Sequence, residues 1–165
     1  MIPFISIVGR RNSGKTMVLA GLIAELTRRG VRVGVLKHSA HEFDLDREGK
    51  DTWRHRQAGA RAVGIMSPRR LAVMRELDGE LPLEQALALL GSDLDLVLTE
   101  GFRQAATVKI EVVRAATGCA VTTPPRQLLA VVADCAVETS APQLSFGEAA
   151  ALADLVEGRV RLDRS

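Results

Sequence analysis

Residues 9–16 read Gly-Arg-Arg-Asn-Ser-Gly-Lys-Thr, between an apolar run and an amphipathic stretch. The apolar run, 2–8, predicts a buried strand, and the stretch from Lys15 predicts a helix that ends at Gly30. A loop that joins a strand to a helix N-terminus directs backbone N–H groups and the positive end of the helix dipole toward one point. The spacing Gly-x-x-x-x-Gly-Lys-Thr therefore predicts a loop that binds phosphate groups.

The residue types of this loop have distinct predicted tasks. Gly9 and Gly14 permit backbone conformations that a β-carbon would penalise. Lys15 would contact the terminal phosphates, and the Thr16 hydroxyl would hold Mg²⁺. A dinucleotide-binding loop is disfavoured because no Gly-x-Gly-x-x-Gly is present. The predicted nucleotide-binding residues of the loop are Gly9, Asn12, Ser13, Gly14, Lys15, Thr16 and Met17.

Composition limits the class of protein. The 165 residues predict a single nucleotide-binding domain, 1–165, and a hydrophobic share of 47% favours a globular fold. A net charge of +2 with 3% aromatic residues and no Tyr argues against nucleic-acid binding. We expect no membrane association and a cytoplasmic protein, because no signal peptide and no apolar run of ~20 residues is found. Cys119 and Cys135 have no Cys-x-x-Cys spacing and are expected to be free thiols, with a disulfide between them as the alternative.

Strand and helix patterns alternate along the chain. This predicts an α/β fold of the P-loop NTPase type, a three-layer fold with a mostly parallel sheet and helices on both faces. A hairpin is predicted around Ser67-Pro68, and a last helix opens with the capping box of 145–148 and continues to Gly158. The other predicted elements are strands 3–8, 31–37, 61–66, 71–74, 95–99, 109–114 and 128–133, and helices 15–29, 51–58 and 83–90.

Glu100 ends a predicted strand, so it should lie at the same edge of the sheet as Gly9 and His38. There its carboxylate could touch Mg²⁺ through water or orient an attacking water. The alternative is a cap on the following turn. Asp95, at the opposite end of that strand, is expected to be a surface residue.

The polar segment 38–50 holds a further group of candidate ligands. Asp44 and Asp46 share a face if the backbone is extended, and such a pair suits Mg²⁺ or its waters. His38 and His41 could ligate a transition metal, but no third ligand is found, so a polar loop without metal is favoured for them.

The sequence gives little indication of which nucleotide base the protein prefers. The string Asn-Lys-x-Asp, which reads guanine in many GTP-binding proteins, is absent. Asp134 ends a predicted strand and could accept from the N1 and N2 donors of guanine. A turn residue is an equally good interpretation.

The chain resembles the MobB family of molybdopterin-guanine dinucleotide biosynthesis adaptor proteins. The resemblance implies a P-loop protein that binds GTP with Mg²⁺, forms a homodimer and hydrolyses GTP weakly, at most a slow GTPase. Its implied partners are the molybdenum cofactor guanylyltransferase and molybdopterin itself. The motifs that carry the resemblance are Gly9–Thr16, Leu36-Lys37-His38, Asp44-x-Asp46-x-x-Gly49-Lys50-Asp51-Thr52, Ala58-Gly59-Ala60, Glu100-Gly101-Phe102 and Lys109-Ile110-Glu111.

The resemblance also assigns roles. It implies phosphate contacts at 12–16, metal binding by Thr16, Glu100 and Asp44, and nucleotide binding near Asp46, with Lys15 and Glu100 as the candidate catalytic residues.

Two positions depart from the family pattern. Met17 replaces a second hydroxyl residue, and Arg10 stands where related dimeric switches place a lysine that reaches the partner's nucleotide, although an exposed arginine is favoured.

Two other classes of function stay open. One is a P-loop small-molecule kinase that would bind its acceptor at 38–50. The other is a metal-delivering GTPase that would use His38, His41 and the cysteines. An adaptor with slow GTP hydrolysis is the favoured hypothesis.

Overall fold

The computed structural model describes residues 2–39 and 41–160, which form two compact units. The first unit comprises the residues up to 38 and from 86 onward, and the second comprises 39–85. The strands are β1 (Phe4–Gly9), β2 (Val33–Lys37), β3 (Ala62–Ser67), β4 (Arg70–Arg75), β5 (Leu96–Glu100), β6 (Lys109–Val113), β7 (Leu128–Ala133) and β8 (Gln143–Leu144). The α-helices are α1 (Lys15–Arg28), α2 (Asp51–Gln57), α3 (Leu83–Ala88) and α4 (Ala149–Arg159).

The first unit is built on a six-stranded sheet in the order β2-β5-β1-β6-β7-β8, with every neighbouring pair parallel. All five residues of β5 are buried, which explains why its sequence is a near-continuous apolar run rather than an alternating one. Because β1 lies between β5 and β6, the loop that follows β1 emerges at the centre of the carboxyl edge of the sheet. The predicted α/β fold is confirmed.

Helices α1 and α4 pack together on one face of this sheet. Leu22 and Leu26 of α1 are fully buried in a cluster that also holds Ile5 and Ile7 of β1 and Val156 of α4. The 3.6-residue spacing of apolar positions in α1 therefore predicted its buried face correctly.

The opposite face of β6 carries two buried charged residues, Lys109 and Glu111, each 1% exposed. The Lys109 ammonium donates to the carbonyl oxygens of Ala105 and Thr107 at 2.5 and 3.2 Å and to Gln127 Oε1 at 2.8 Å. The Glu111 carboxylate accepts from the backbone N–H groups of Thr122 and Thr123 and from the Thr122 hydroxyl at 2.7–3.1 Å. Burial alone would raise the pKa of Glu111, but these hydrogen bonds outweigh burial and lower that pKa.

The second unit contains α2 and an antiparallel hairpin, β3–β4, in which Ile65 pairs with Ala72 and Met66 with Leu71. Ile65, Met66, Leu71 and Val73 are 62–81% exposed, and Val63 is the buried apolar residue of the hairpin. The hairpin therefore has a large apolar surface in contact with solvent.

Element bounds agree with the sequence prediction to within about two residues, apart from three short elements that were not predicted and the start of the last helix, all in the last third of the chain. β8 and the two short 3₁₀ turns at Ala115–Thr117 and Pro125–Gln127 were not predicted. The last helix begins at Ala149, because 145–148 forms a turn in which the Ser145 N–H donates to Glu148 Oε2 at 2.5 Å. That helix also continues past Gly158 to Arg159.

The expectation of two free thiols is wrong. Cys119 and Cys135 are joined by a disulfide, with their Cα atoms 6.2 Å apart. Neighbouring parallel strands bring the segments that follow β6 and β7 together, although the two cysteines are 16 residues apart in sequence. Among the described helices, none combines the length and the apolar character needed to cross a membrane.

Candidate nucleotide-binding site

The loop between β1 and α1 has a backbone that few sequences could adopt. Gly9 has φ +150°, and a β-carbon there would lie 2.4 Å from the Val112 carbonyl oxygen. Gly14 has φ +94°, and Asn12 adopts a left-handed φ of +62°. Ser13 is fully buried, and its Oγ has no hydrogen-bond partner among the described residues. The two predicted glycines are thus required by geometry.

Lys15 folds back over this loop. Its Nζ donates to the Gly9 carbonyl at 3.2 Å and to the Arg10 carbonyl at 2.8 Å. Burial lowers the pKa of Lys15, the positive charges of Arg103 and Lys37 lower it further, and the Glu100 carboxylate opposes them. The ammonium group is therefore held at the mouth of the loop by two neutral oxygens that a phosphate could replace.

Thr16 and Glu100 meet beside Lys15, as predicted. The Thr16 hydroxyl lies 3.3 Å from Glu100 Oε1, and Lys37 Nζ lies 3.7 Å from the same oxygen. Glu100 is 8% exposed at the end of β5. A hydroxyl and a carboxylate are the hard oxygen ligands that Mg²⁺ prefers, so the residues present fit this ion.

His38 also follows its strand at this edge, where its ring lies against Phe102 with centroids 5.0 Å apart. His41 belongs to the second unit. Over the part of the chain that the structure describes, no group of three His, Cys, Asp or Glu residues could hold a metal ion.

Asp44 and Asp46 lie in the second unit, in an irregular segment, so the extended backbone that would put them on one face is not observed. The Asp46 N–H donates to Asp44 Oδ1 at 2.8 Å, and Arg56 Nη1 donates to the same oxygen at 3.0 Å; both bonds lower the pKa of Asp44. Thr52 Oγ1 donates to Asp46 Oδ1 at 2.8 Å. Asp46 Oδ2 is buried with no hydrogen-bond partner in the described ranges. Their role near the metal stays a prediction.

Asp134 follows β7, as predicted, and its carboxylate accepts a hydrogen bond from the turn that follows β6. Its Oδ1 accepts from the Ala115 N–H at 2.7 Å, while Oδ2 lies 3.8 Å from Arg114 Nε. The side chain is 42% exposed, so the carboxylate keeps room for a further donor. Its role toward a base is untested.

Sequence reasoning missed two residues that touch the loop. Arg114 Nη2 and Phe146 Cε1 lie 3.3 and 2.9 Å from the point where a β-carbon of Gly14 would stand. The Arg114 guanidinium carbon lies 4.5 Å from the centre of the Phe146 ring, a cation–π contact. No local pattern marks residues that are 32 positions apart in sequence.

Met17 directly follows Thr16 and is 52% exposed. Arg10 is also at the surface, where its Nη1 donates to the Thr117 carbonyl of the same chain. The phosphate loop is thereby linked to the turn after β6.

A parallel sheet whose first strand enters a Gly-x-x-x-x-Gly-Lys-Thr loop and a helix, with a carboxylate of the adjacent strand beside the threonine, defines a P-loop NTPase-like protein. The family model described as "Molybdopterin guanine dinucleotide synthesis protein B" (MobB) matches residues 4–134. The chain belongs to the MobB family.

Relatives and solved structures agree with this assignment. The molybdopterin-guanine dinucleotide biosynthesis adapter protein of Haemophilus influenzae is 36% identical over 94% of this chain and 88% of its own length. The protein of that name from Escherichia coli is 35% identical over 94% of this chain and 92% of its own length. A crystal structure of molybdopterin-guanine biosynthesis protein B is 30% identical, with a TM-score of 0.71 and coverage of 94% and 99%. Bacillus subtilis MobB, at 23% identity, shares the fold with a TM-score of 0.76 and coverage of 96% and 98%.

Proposed function

We propose that this protein is a GTP-binding adaptor in the biosynthesis of molybdopterin-guanine dinucleotide. The observation that carries the proposal is the meeting of Lys15, Thr16 and Glu100 at the end of a strained glycine loop. The names of the relatives supply the pathway. The geometry of the loop, Thr16 and Glu100 supports the nucleotide-binding part of the proposal.

Phosphate recognition follows from the donors of the loop. The Lys15 ammonium now donates to two neutral carbonyl oxygens. A phosphate oxygen would form a charge-assisted hydrogen bond in their place, which is roughly twice as strong as a neutral one. The N-terminus of α1 adds its partial positive charge.

Thr16 and Glu100 would hold Mg²⁺, directly or through its waters. When bound, this ion neutralises negative charge between adjacent phosphates. The Glu100 carboxylate would orient a water for attack on the terminal phosphate, and Lys15 would stabilise the charge that develops. In the part of the chain that the structure describes, the side chains paired with Glu100 are those of Thr16 and Lys37, and neither is a strong base in its usual protonation state, so we expect slow hydrolysis.

The carboxylates of Asp44 and Asp46 would lie near the nucleotide and its metal. Asp46 Oδ2 supports this role: it is buried and makes no hydrogen bond within the described residues, with the Arg56 Nη1 cation 3.9 Å away, so a ligand could supply the missing hydrogen bond. Binding of the terminal phosphate would then order the segment around 44–50.

We also propose a cytoplasmic homodimer that works with the molybdenum cofactor guanylyltransferase and with molybdopterin itself. The exposed apolar surface of the β3–β4 hairpin supports dimerisation, since apolar patches of this kind commonly mark protein interfaces.

Calorimetric titration of GTP with and without Mg²⁺ tests the metal site. Replacing Asp44 and Asp46 by Asn should weaken binding more with Mg²⁺ than without it. Asp78→Asn is the matched control, since Asp78 is an exposed partner of Arg61 in the same unit. Equal losses with and without the ion would contradict a role near the metal.

The rate of nucleotide consumption separates the adaptor from an enzyme. A small-molecule kinase would turn over at about 1–100 s⁻¹ with its acceptor. We expect much slower hydrolysis, stimulated by neither small acceptors nor phosphate. Addition of the guanylyltransferase should give a complex by co-purification, and failure to form one would contradict the adaptor role.

A further inference from the structure

The order of strands fixes which way a bound nucleotide points, given the proposed triphosphate site. Thr16 meets Glu100 on the β5 side of β1, so the metal and the terminal phosphates belong on that side. The nucleoside must then extend the other way, over the carboxyl ends of β6, β7 and β8.

Three side chains from those strand ends form a wall on this side of the loop. Arg114 follows β6, Asp134 follows β7, and Phe146 lies just beyond β8. Arg114 and Phe146 both touch the space beside Gly14, and Arg114 Nε lies 3.8 Å from Asp134 Oδ2. The wall therefore extends from Arg114 and Phe146, beside the phosphate loop, to the carboxylate of Asp134.

Phe146 makes the position of Arg114 well defined. Its ring packs against the main core of the first unit, and the Arg114 guanidinium lies over that ring. A cation–π contact uses the face of the guanidinium and leaves the in-plane N–H donors unused. Within the described residues no hydrogen bond engages the Arg114 side chain, and its buried Nε faces Asp134 Oδ2 at 3.8 Å, beyond hydrogen-bond distance. The Arg114 side chain is 36% exposed, so its in-plane donors can reach the acceptors of a bound ligand.

We infer that Arg114, held by Phe146, reads the guanine base together with Asp134. The guanidinium would donate to the O6 and N7 acceptors of guanine, a bidentate geometry that Arg favours. The Asp134 carboxylate would accept from N1–H and the N2 amino group. This assignment rests on the proposed function and adds the residue that selects the base.

The same pair rejects adenine. Adenine places an amino group where guanine has O6, so donor would face donor at Arg114. It places a lone pair at N1, which would face the Asp134 carboxylate. A site whose polar groups are placed to hydrogen-bond one base binds another base much more weakly, because those groups are then left unpaired.

The test compares binding of GTP, ATP and inorganic tripolyphosphate, each with Mg²⁺, to the full-length chain. Arg114→Gln should reduce the preference for GTP over ATP by about tenfold to 100-fold, while tripolyphosphate affinity stays within about twofold of the wild type. Arg114→Lys, which keeps the charge but not the planar fork, should also lose most of the preference. Arg126→Gln, at an exposed arginine before β7, is the matched control and should change nothing.

A second pair of variants isolates the geometry. Phe146→Leu should weaken GTP binding in part, because it removes the ring that orients the guanidinium. Asp134→Asn should raise the affinity for xanthosine triphosphate relative to GTP, since an amide can donate to the 2-oxo group of xanthine. Urea midpoints measured alongside identify any variant that does not fold.

The outcomes separate this inference from the proposed function. An unchanged GTP-to-ATP ratio in both Arg114 variants, with wild-type binding intact, would overturn the base-reading role alone. Equal losses for GTP, ATP and tripolyphosphate would show a phosphate or structural role instead and would also overturn it. A wild-type chain that binds none of the three would overturn both proposals.

Discussion

Strand β5 and the β3–β4 hairpin have similar apolar content and opposite surroundings. Every residue of β5 is buried between β1 and β2, whereas four apolar residues of the hairpin are more than 60% exposed. An isolated two-stranded hairpin is marginally stable in water. The first unit therefore builds its own core around the sheet, whereas the hairpin leaves most of its large apolar side chains in contact with solvent.

The largest effect should come from the phosphate loop. Gly9→Ala puts a β-carbon 2.4 Å from a backbone oxygen and at a φ of +150°, so we expect the free energy of unfolding to fall by about 3 kcal/mol or more. Gly64→Ala in the hairpin is the control, because its nearest atom would be 3.5 Å away and its change should stay within about 1 kcal/mol. Urea unfolding measures both, and equal effects would contradict the contrast between the two regions.

A buried carboxylate should give the next largest effect. Glu111→Ala leaves the N–H groups of Thr122 and Thr123 without their acceptor, and we expect a loss of about 2–3 kcal/mol. Glu84→Ala, at an exposed position of α3, should cost less than about 0.5 kcal/mol. A Glu111 variant as stable as the Glu84 variant would contradict the description of β6.

The same carboxylate predicts a dependence on pH. The pKa of Glu111 is lowered in the folded chain, so its contribution to stability is present above the ordinary value of 4.5 and is lost as pH falls through the lowered one. Wild-type stability should therefore decline more steeply below about pH 4.5 than that of Glu111→Gln. Urea midpoints between pH 3 and pH 7 measure this, and parallel curves would be the contrary result.

The smallest effect on stability is expected in the hairpin. Leu71→Lys replaces a side chain that is 66% exposed and should change the unfolding free energy of the single chain by no more than about 0.5 kcal/mol. It should nevertheless shift the proposed homodimer to monomers in sedimentation experiments. Leu89→Lys, 78% exposed outside the hairpin, should leave the dimer intact. A dimer that tolerates Leu71→Lys would place the interface elsewhere.

Local sequence patterns predicted what local physics decides. The apolar run from Leu96 to Thr99 indicated a strand that is buried on both faces. The 3.6-residue spacing of apolar residues in α1 indicated a helix with one buried face. The meeting of Lys15, Thr16 and Glu100 followed from the rule that parallel strands share a carboxyl edge.

Features that depend on strand order could not be predicted in this way. The contact between Arg114 and Phe146 and the disulfide between Cys119 and Cys135 require that β6, β7 and β8 be neighbours. β8 has two residues, too few to show an alternating pattern. At Asp44 and Asp46 a side chain captures a backbone N–H, and this local hydrogen bond competes with the extended backbone on which a shared face of the two carboxylates depended.

We expect the β1–α1 loop to bind a nucleoside triphosphate through its backbone amides and Lys15. Calorimetric titration of Mg²⁺-GTP into the wild-type chain and Lys15→Ala tests it most directly. We expect saturable binding to the wild type and its loss in the variant, with the far-ultraviolet circular dichroism unchanged. Equal affinity in the two proteins, or no binding to a folded wild type, would contradict the claim.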